Sequence, residues 1–420
     1  MNFLYLRASL FLTASTVYLQ VLVPFAFLSV VYTETFANWA LWFSILGYLA
    51  LGDLGTISLA QYRSLKSMGK QARRQATYIT TLMPFLALIS IAILAVVALL
   101  AVFSVVPTFF LILAAVPLLQ LQVRVASILY RIRGTFHRYC YAASLANFAF
   151  PSLLLVTAWE GIDLTVIATL YLAVQMLVSL GIIGASGLWA SVTLSWRNFK
   201  RLYGRQAQTC ATYVVLSLVT TAINTGPILL LGMLFQPAQL VQFYAARIIA
   251  NLGVVVANSV YSSSMPDLVD RRRTKRDIQQ TITKVLQLVT GFFVLQIAVA
   301  FLFRDLLETY WLNGRLELTT PFLVIATLSA FCASLVYFSI NTFQAFGTPS
   351  RSIHALMTYC GSVAIILAVF WGPLAGPLAE IGITVRIALV VAVPTFVTAL
   401  VSLSMVLRVI RPNTKAHEAY

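Results

Sequence analysis

Charge is what this sequence has least of. Asp, Glu, Lys and Arg together make up 10% of the chain, against the roughly 25% of a soluble domain, and only 12 of the 420 residues are acidic. A soluble enzyme or binding module of this size is excluded on that ground. Four cysteines, Cys140, Cys210, Cys332 and Cys360, show no paired spacing, which excludes a disulfide framework and a zinc site. Three histidines, His137, His354 and His417, sit in or beside the polar gaps, so a buried histidine relay is not available. There is no phosphate-cradling glycine loop and no paired-acid nucleotide-sugar motif. No gap between apolar runs is long enough to hold a folded catalytic domain. Catalytic residues, cofactors and metals are therefore expected to be none.

Apolar length is what the chain does have. Apolar residues make up 60% of it, in runs that recur from end to end. A spanning helix needs ~20 mostly apolar residues, so the chain holds about twelve. The runs place them at 8–31, 37–62, 77–102, 107–130, 139–159, 164–189, 209–235, 238–263, 280–303, 320–344, 353–373 and 381–407.

The gaps alternate in charge. Arg63, Lys66, Lys70, Arg73 and Arg74 fill one; Arg131, Arg133 and Arg138 another; Arg197, Lys200, Arg201 and Arg205 a third; Arg271, Arg272, Arg273, Lys275 and Arg276 a fourth. The gaps between these are neutral or acidic, with Glu34, Glu160, Asp163 and Glu380. Basic residues stay on the cytoplasmic side of a bilayer, so the even-numbered loops and both termini are expected there, in a bacterial inner membrane. The net charge of +16 then reports orientation. With no basic, aromatic-interleaved patch on a soluble domain, nucleic acid is not an expected partner.

An even number of spans per half makes the halves parallel repeats about an axis along the membrane normal. The expected architecture is all-α and integral to the membrane. It has an N-terminal six-helix bundle over 1–189, a basic linker over 190–208, a C-terminal six-helix bundle over 209–407 and a polar tail over 408–420. Gly134-Thr135-Phe136-His137-Arg138 after span four matches Gly347-Thr348-Pro349-Ser350-Arg351 after span ten. Spans one and seven share more. Ser9, Thr13, Thr16 and Gln20 step by four, three and four; Tyr213, Ser217, Thr220 and Asn224 repeat those steps. Each set lies along one helix face and is followed by a proline, Pro24 or Pro227. The hydroxyls also fit a plainer role, bonding back to their own helix or letting neighbours approach.

Few charges fall inside the spans. Lys284 and Arg386 lie near span ends, where long stems reach the interface. Arg247 is about 15 Å into span eight at ~1.5 Å per residue, near mid-bilayer. An arginine there costs about 2.5–3.5 kcal/mol to insert and faces a water-filled cavity or a partner. Tyr244, Arg247, Asn251 and Asn258 share its helix face. Asp53 and Arg124 lie at similar depths in spans two and four, and an ion pair between them is one expectation; Gln120, Arg124 and Arg131 form a polar stripe. Arg247 is then left without an acidic partner in the membrane. A cation so placed suits an anionic ligand, and a guanidinium suits phosphate because its planar fork donates two parallel hydrogen bonds.

Leu51-Gly52-Asp53-Leu54-Gly55, Phe243-Tyr244-Ala245-Ala246-Arg247-Ile248, Ser264-Met265-Pro266 and Ala345-Phe346-Gly347 together resemble segments of the Wzx-type O-antigen flippases. These form the polysaccharide branch of the multidrug/oligosaccharidyl-lipid/polysaccharide (MOP) exporter superfamily. The resemblance implies two six-helix bundles around a cationic cavity. Its cargo would be an undecaprenyl-diphosphate-linked oligosaccharide, moved from the cytoplasmic to the periplasmic leaflet by alternating access for lipopolysaccharide or related synthesis. It implies that Arg247 and Arg124 meet the diphosphate and that Asn251, Asn224 and Gln20 contact phosphate or sugar hydroxyls, with Tyr244 and Asn258 on the same lining. Asp53 would carry a coupling proton; Na+ is the other candidate ion, and a polysaccharide polymerase and a chain-length regulator are candidate partner proteins. The scarcity of acids in the core departs from an ion-coupled pattern. A small-molecule exporter of the same superfamily would want buried carboxylates for cationic cargo. A major-facilitator transporter would want a long middle loop and an acid in Gln61–Lys70, and a polymerase or ligase a large external loop; the chain has none of these.

Overall fold

The computed structural model describes residues 3–30, 33–57, 70–156, 163–187, 200, 204, 207–269, 275–312, 314, 316–345, 349–371 and 381–410. Among the described residues there are thirteen α-helices and no strand. Twelve helices are long: α1 (Phe3–Val30), α2 (Thr33–Leu49), α3 (Lys70–Val102), α4 (Thr108–Ile132), α5 (Phe136–Val156), α6 (Leu164–Ala185), α7 (Ala207–Leu234), α8 (Pro237–Val269), α9 (Lys275–Leu302), α10 (Thr320–Ala345), α11 (Ser352–Trp371) and α12 (Ile383–Ile410). Eleven helices among the described residues are long and apolar enough to cross a membrane. Helices rather than strands follow from the solvent, since within hydrocarbon every backbone N–H and C=O must find its partner inside the segment.

The chain divides into two compact units. One is Met1–Ser217 with Trp311–Arg315, and the other is Leu218–Tyr310 with Leu316–Tyr420. Packing partners repeat with an offset of six helices. In the first unit α4 packs against α2, α3 and α6, and α5 against α6; in the second α10 packs against α8, α9 and α12, and α11 against α12. The central helix of each unit is enclosed: 61% of the apolar window of α4 and 72% of that of α10 are buried, against 17% for the peripheral α11.

Span two corrects the sequence reading. Continuous helix was expected over 37–62, but α2 stops at Leu49 and a tight turn runs from Ala50 to Asp53. Leu54 and Gly55 then take left-handed backbone, with φ of 48° and 73°. The Gly55 N–H donates to Asp53 Oδ1 at 3.0 Å, and the Thr56 hydroxyl donates to the Asp53 carbonyl at 2.6 Å. This side-chain-to-backbone bond two residues on is an Asx-turn, which fixes the bend between α2 and the helical backbone at 56–57. Residues 58–69 lie outside the described residues, as do the tail 411–420 and Gly347-Thr348 of the proposed repeat.

Candidate functional site

Arg247 lies in α8 and is 2% exposed. Its Nη1 donates to Ser329 Oγ on α10 at 3.2 Å, and its Nη2 donates to the Ile223 carbonyl on α7 at 3.3 Å. Among the described residues Nε has no acceptor, and Arg247 enters no ion pair. The Ile223 bond has a local cause. Pro227, four residues on, carries no N–H, so the Ile223 carbonyl to which residue 227 would otherwise donate is left open in the helix ladder. A carbonyl opened this way inside a membrane needs a donor from a neighbouring helix, and Arg247 supplies it.

The same stretch of α7 is held from two further sides. Tyr337 on α10 donates its hydroxyl to the Thr220 carbonyl at 3.1 Å. Tyr359 on α11 lies against Gly226, where a β-carbon would come within 3.2 Å of Tyr359 Cζ and overlap its hydroxyl. The cation is thus bonded to one hydroxyl and one carbonyl, both of them neutral.

Sequence reading expected Arg247 on an open, wet chamber. The structure places it in the packed interior of its own unit instead, because Pro227 offers a carbonyl there. Its stripe partners are less enclosed: Tyr244, Asn251 and Asn258 on α8, and Asn224 on α7, are half-buried. The opposite face of α8 carries Gly253 and is covered by Phe293 and Gln296 of α9. Of the other expected residues, Arg124 is exposed on α4 in the N-terminal unit, and the side chain of Gln20 lies outside the described residues. Asp53 is 3% exposed. Among the described residues no ion pair joins Asp53 to Arg124. Exchanging the two, Asp53→Arg with Arg124→Asp, is therefore expected to melt no higher in detergent than the worse single alanine variant. Recovery of the wild-type melting temperature would establish the pair.

The Arg386 guanidinium, near the start of α12, sits 5.5 Å from the ring of Phe235, just past α7, and 5.6 Å from the Phe370 ring of α11, a cation–π arrangement.

The N-terminal unit holds a cavity of about 280 Å³ among α1, α4, α5 and α6, with Gln120, Tyr139, Asn147, Tyr171, Gln175 and Ser179 on its wall. Gln120 Nε2 donates to Gln175 Oε1 at 2.7 Å, and Asn147 Nδ2 donates to Ser15 Oγ at 3.1 Å. No lining residue is an acid, lysine, arginine or histidine; the polar groups of the wall are amides and hydroxyls, set among apolar side chains such as Leu12, Val123 and Ile182. Thr16 of the expected polar stripe bonds back to the Leu12 carbonyl at 2.9 Å, the plainer role. Sequence reading missed Ser329, Tyr337, Tyr359 and Gln175. Pro227 four residues after Ile223 was the one local signal available; the rest are long-range.

Eleven described helices long and apolar enough to cross a membrane, in two units with repeated packing, define a multi-span all-helical architecture. The fold is that of the MOP superfamily transporters. The chain superposes on lipid II flippase MurJ in an inward closed conformation with a TM-score of 0.65 at 14% identity, covering 96% of this chain and 87% of that one. It superposes on an outward-facing multidrug resistance MATE family transporter with a TM-score of 0.63 at 15% identity, covering 97% and 96%. A MOP superfamily transporter from Pyrococcus furiosus, described by a binding pocket of reverse polarity, gives 0.59 at 14% identity over 96% and 92%. No protein-family model and no curated protein sequence matches the chain.

Proposed function

We propose that this protein is a flippase for a lipid-linked oligosaccharide carried on undecaprenyl diphosphate, moving it to the outer leaflet of a bacterial inner membrane with both termini cytoplasmic. One observation carries the reading: a fully buried guanidinium in α8 whose acceptors are a hydroxyl and a carbonyl, with Nε unmatched. A charge enclosed by neutral groups favours an anionic oxygen, and a diphosphate presents several. Cationic drugs, by contrast, would meet no carboxylate beside Arg247 among the described residues. Similarity to MurJ, a lipid II flippase, supports a lipid-linked cargo, and similarity to MATE transporters keeps small-molecule export as the alternative. Asn251, Asn258, Asn224, Tyr244 and Gln20 are proposed contacts for phosphate or sugar hydroxyls, and Arg124 for a second phosphate contact. Proton or Na+ coupling through Asp53, and work beside a polymerase and a chain-length regulator, belong to the same proposal.

Thiol labelling tests it. All four native cysteines are free, with Cys140, Cys210 and Cys332 buried and Cys360 exposed, so all are first replaced. Cysteines at Asn251 and Asn258 are expected to react with a water-soluble maleimide. Cysteines at Ala250 and Ala257, which are 0% and 1% exposed, are expected not to react. Undecaprenyl diphosphate should slow labelling of the first pair at least fivefold. Protection by cationic drugs instead would favour the exporter reading.

A further inference from the structure

We propose that the Ile223 carbonyl, opened by Pro227, is the resting acceptor of Arg247, and that an anionic phosphate oxygen displaces it, so that loading the site frees α7 at Pro227. This rests on the diphosphate reading above and adds to it two determinants, the carbonyl and the proline that exposes it.

The geometry supports an exchange. A guanidinium bonded to an anionic oxygen prefers about 2.7–2.9 Å, and it has five N–H donors to place. Here its bonds are 3.2 and 3.3 Å, both to neutral oxygens, and Nε has no acceptor among the described residues. Phosphate oxygens offer shorter, charge-assisted bonds to the same fork. The carbonyl is the group an anion replaces, since the Ser329 hydroxyl can rotate and donate to a phosphate oxygen whereas the Ile223 carbonyl has no hydrogen to offer it. Once displaced, that carbonyl sits unpaired beside a proline. α7 then regains a donor only by changing its path at Pro227, through Gly226-Pro227, where no ladder bond resists bending. The Tyr337 bond to the Thr220 carbonyl lies one turn earlier and keeps the first part of that stretch anchored.

Competition follows. In the resting state the ligand must first break the Arg247–Ile223 bond, so any change that satisfies the carbonyl from within α7 strengthens anion binding. Pro227→Ala does this by restoring an N–H opposite Ile223, and it also stiffens the helix. Pro227→Gly restores the same N–H while leaving the helix able to bend. The full-length protein in nanodiscs is titrated with undecaprenyl diphosphate, with undecaprenol as the neutral control, and with inorganic pyrophosphate. Translocation is followed in proteoliposomes with a fluorescent lipid-linked oligosaccharide. Both variants are expected to bind undecaprenyl diphosphate about five- to tenfold tighter than wild type, the equivalent of one ordinary hydrogen bond no longer competing. Pro227→Ala is expected to translocate at least tenfold more slowly, and Pro227→Gly within threefold of wild type. A gain seen with pyrophosphate as well assigns the displacing oxygen to the phosphate itself; a gain with the lipid alone assigns it to the lipid headgroup. Unchanged or weaker binding in both variants, with Arg247→Ala still losing diphosphate binding, overturns the exchange and leaves the flippase reading standing. Arg247→Ala binding as tightly as wild type overturns the flippase reading itself.

Discussion

Arg247→Ala is expected to lower translocation of a lipid-linked diphosphate at least about 100-fold while the chain still reaches the membrane. Hydrogen bonds to a charged group contribute about 1.5–3 kcal/mol each, and a bidentate pair lost at the diphosphate amounts to about two decades of rate or affinity. Alanine leaves no uncompensated charge behind, because Ser329 and the Ile223 carbonyl are neutral. What remains is one open carbonyl next to Pro227, a cost of about 1–3 kcal/mol that a twelve-helix chain can carry. Arg247→Lys should fall between: an ammonium keeps the charge and can reach one acceptor, but it lacks the planar fork. The measurement is translocation in proteoliposomes normalised to protein in the membrane. Arg247→Ala flipping within twofold of wild type would falsify the role assigned to this residue.

Gly55→Ala is expected to have the largest effect on folding. Gly55 holds φ of 73°, where a side chain costs about 1–2 kcal/mol. A β-carbon there would also overlap the Cys210 carbonyl and approach the Val214 nitrogen to 3.0 Å, both backbone atoms of α7 that cannot rotate away. Overpacking of that kind adds about 1–3 kcal/mol, so the variant should lose roughly 2–5 kcal/mol and most of its folded membrane population. Gly181, in α6, is the control: nothing lies within 4 Å of an added β-carbon, and alanine improves helix propensity. Thermal melting of the two purified variants in detergent separates them. Gly55→Ala melting with wild type would mean that the turn after Asp53 does not hold α7 as drawn.

Asp53 shows how far local sequence carried and where it stopped. Its scarcity as an acid within the spans was plain, and that alone suggested proton coupling or an ion pair. What the sequence did not show is its local setting: its carboxylate receives the Gly55 amide at the left-handed turn that docks on α7. Gly52, Asp53 and Gly55 are helix-stop signals in a soluble protein, but inside a long apolar run the period of hydrophobicity hides them. Arg386 is a similar case. Its place near a span end suggested an interfacial arginine; nothing local marked Phe235, just past α7, as one of the two rings that flank it.

The cavity of the N-terminal unit was only partly legible. Thr16 and Gln120 stood out as polar positions on apolar helices, yet nothing local marked Gln175 as the amide that pairs with Gln120, 55 residues on.

By itself the sequence determined the all-helical class, the recurrence of apolar segments long enough to span a membrane and the presence of an arginine inside one of them. Each depends on ~20 consecutive residues, because hydrocarbon thickness and the rise of a helix act on one segment at a time. Tertiary structure alone decided what the arginine meets. Its acceptors lie 82 and 24 residues away along the chain, on two other helices, and one is a backbone carbonyl exposed only because a proline follows it. Which helix faces which is set by packing across the unit, and no window of sequence contains it.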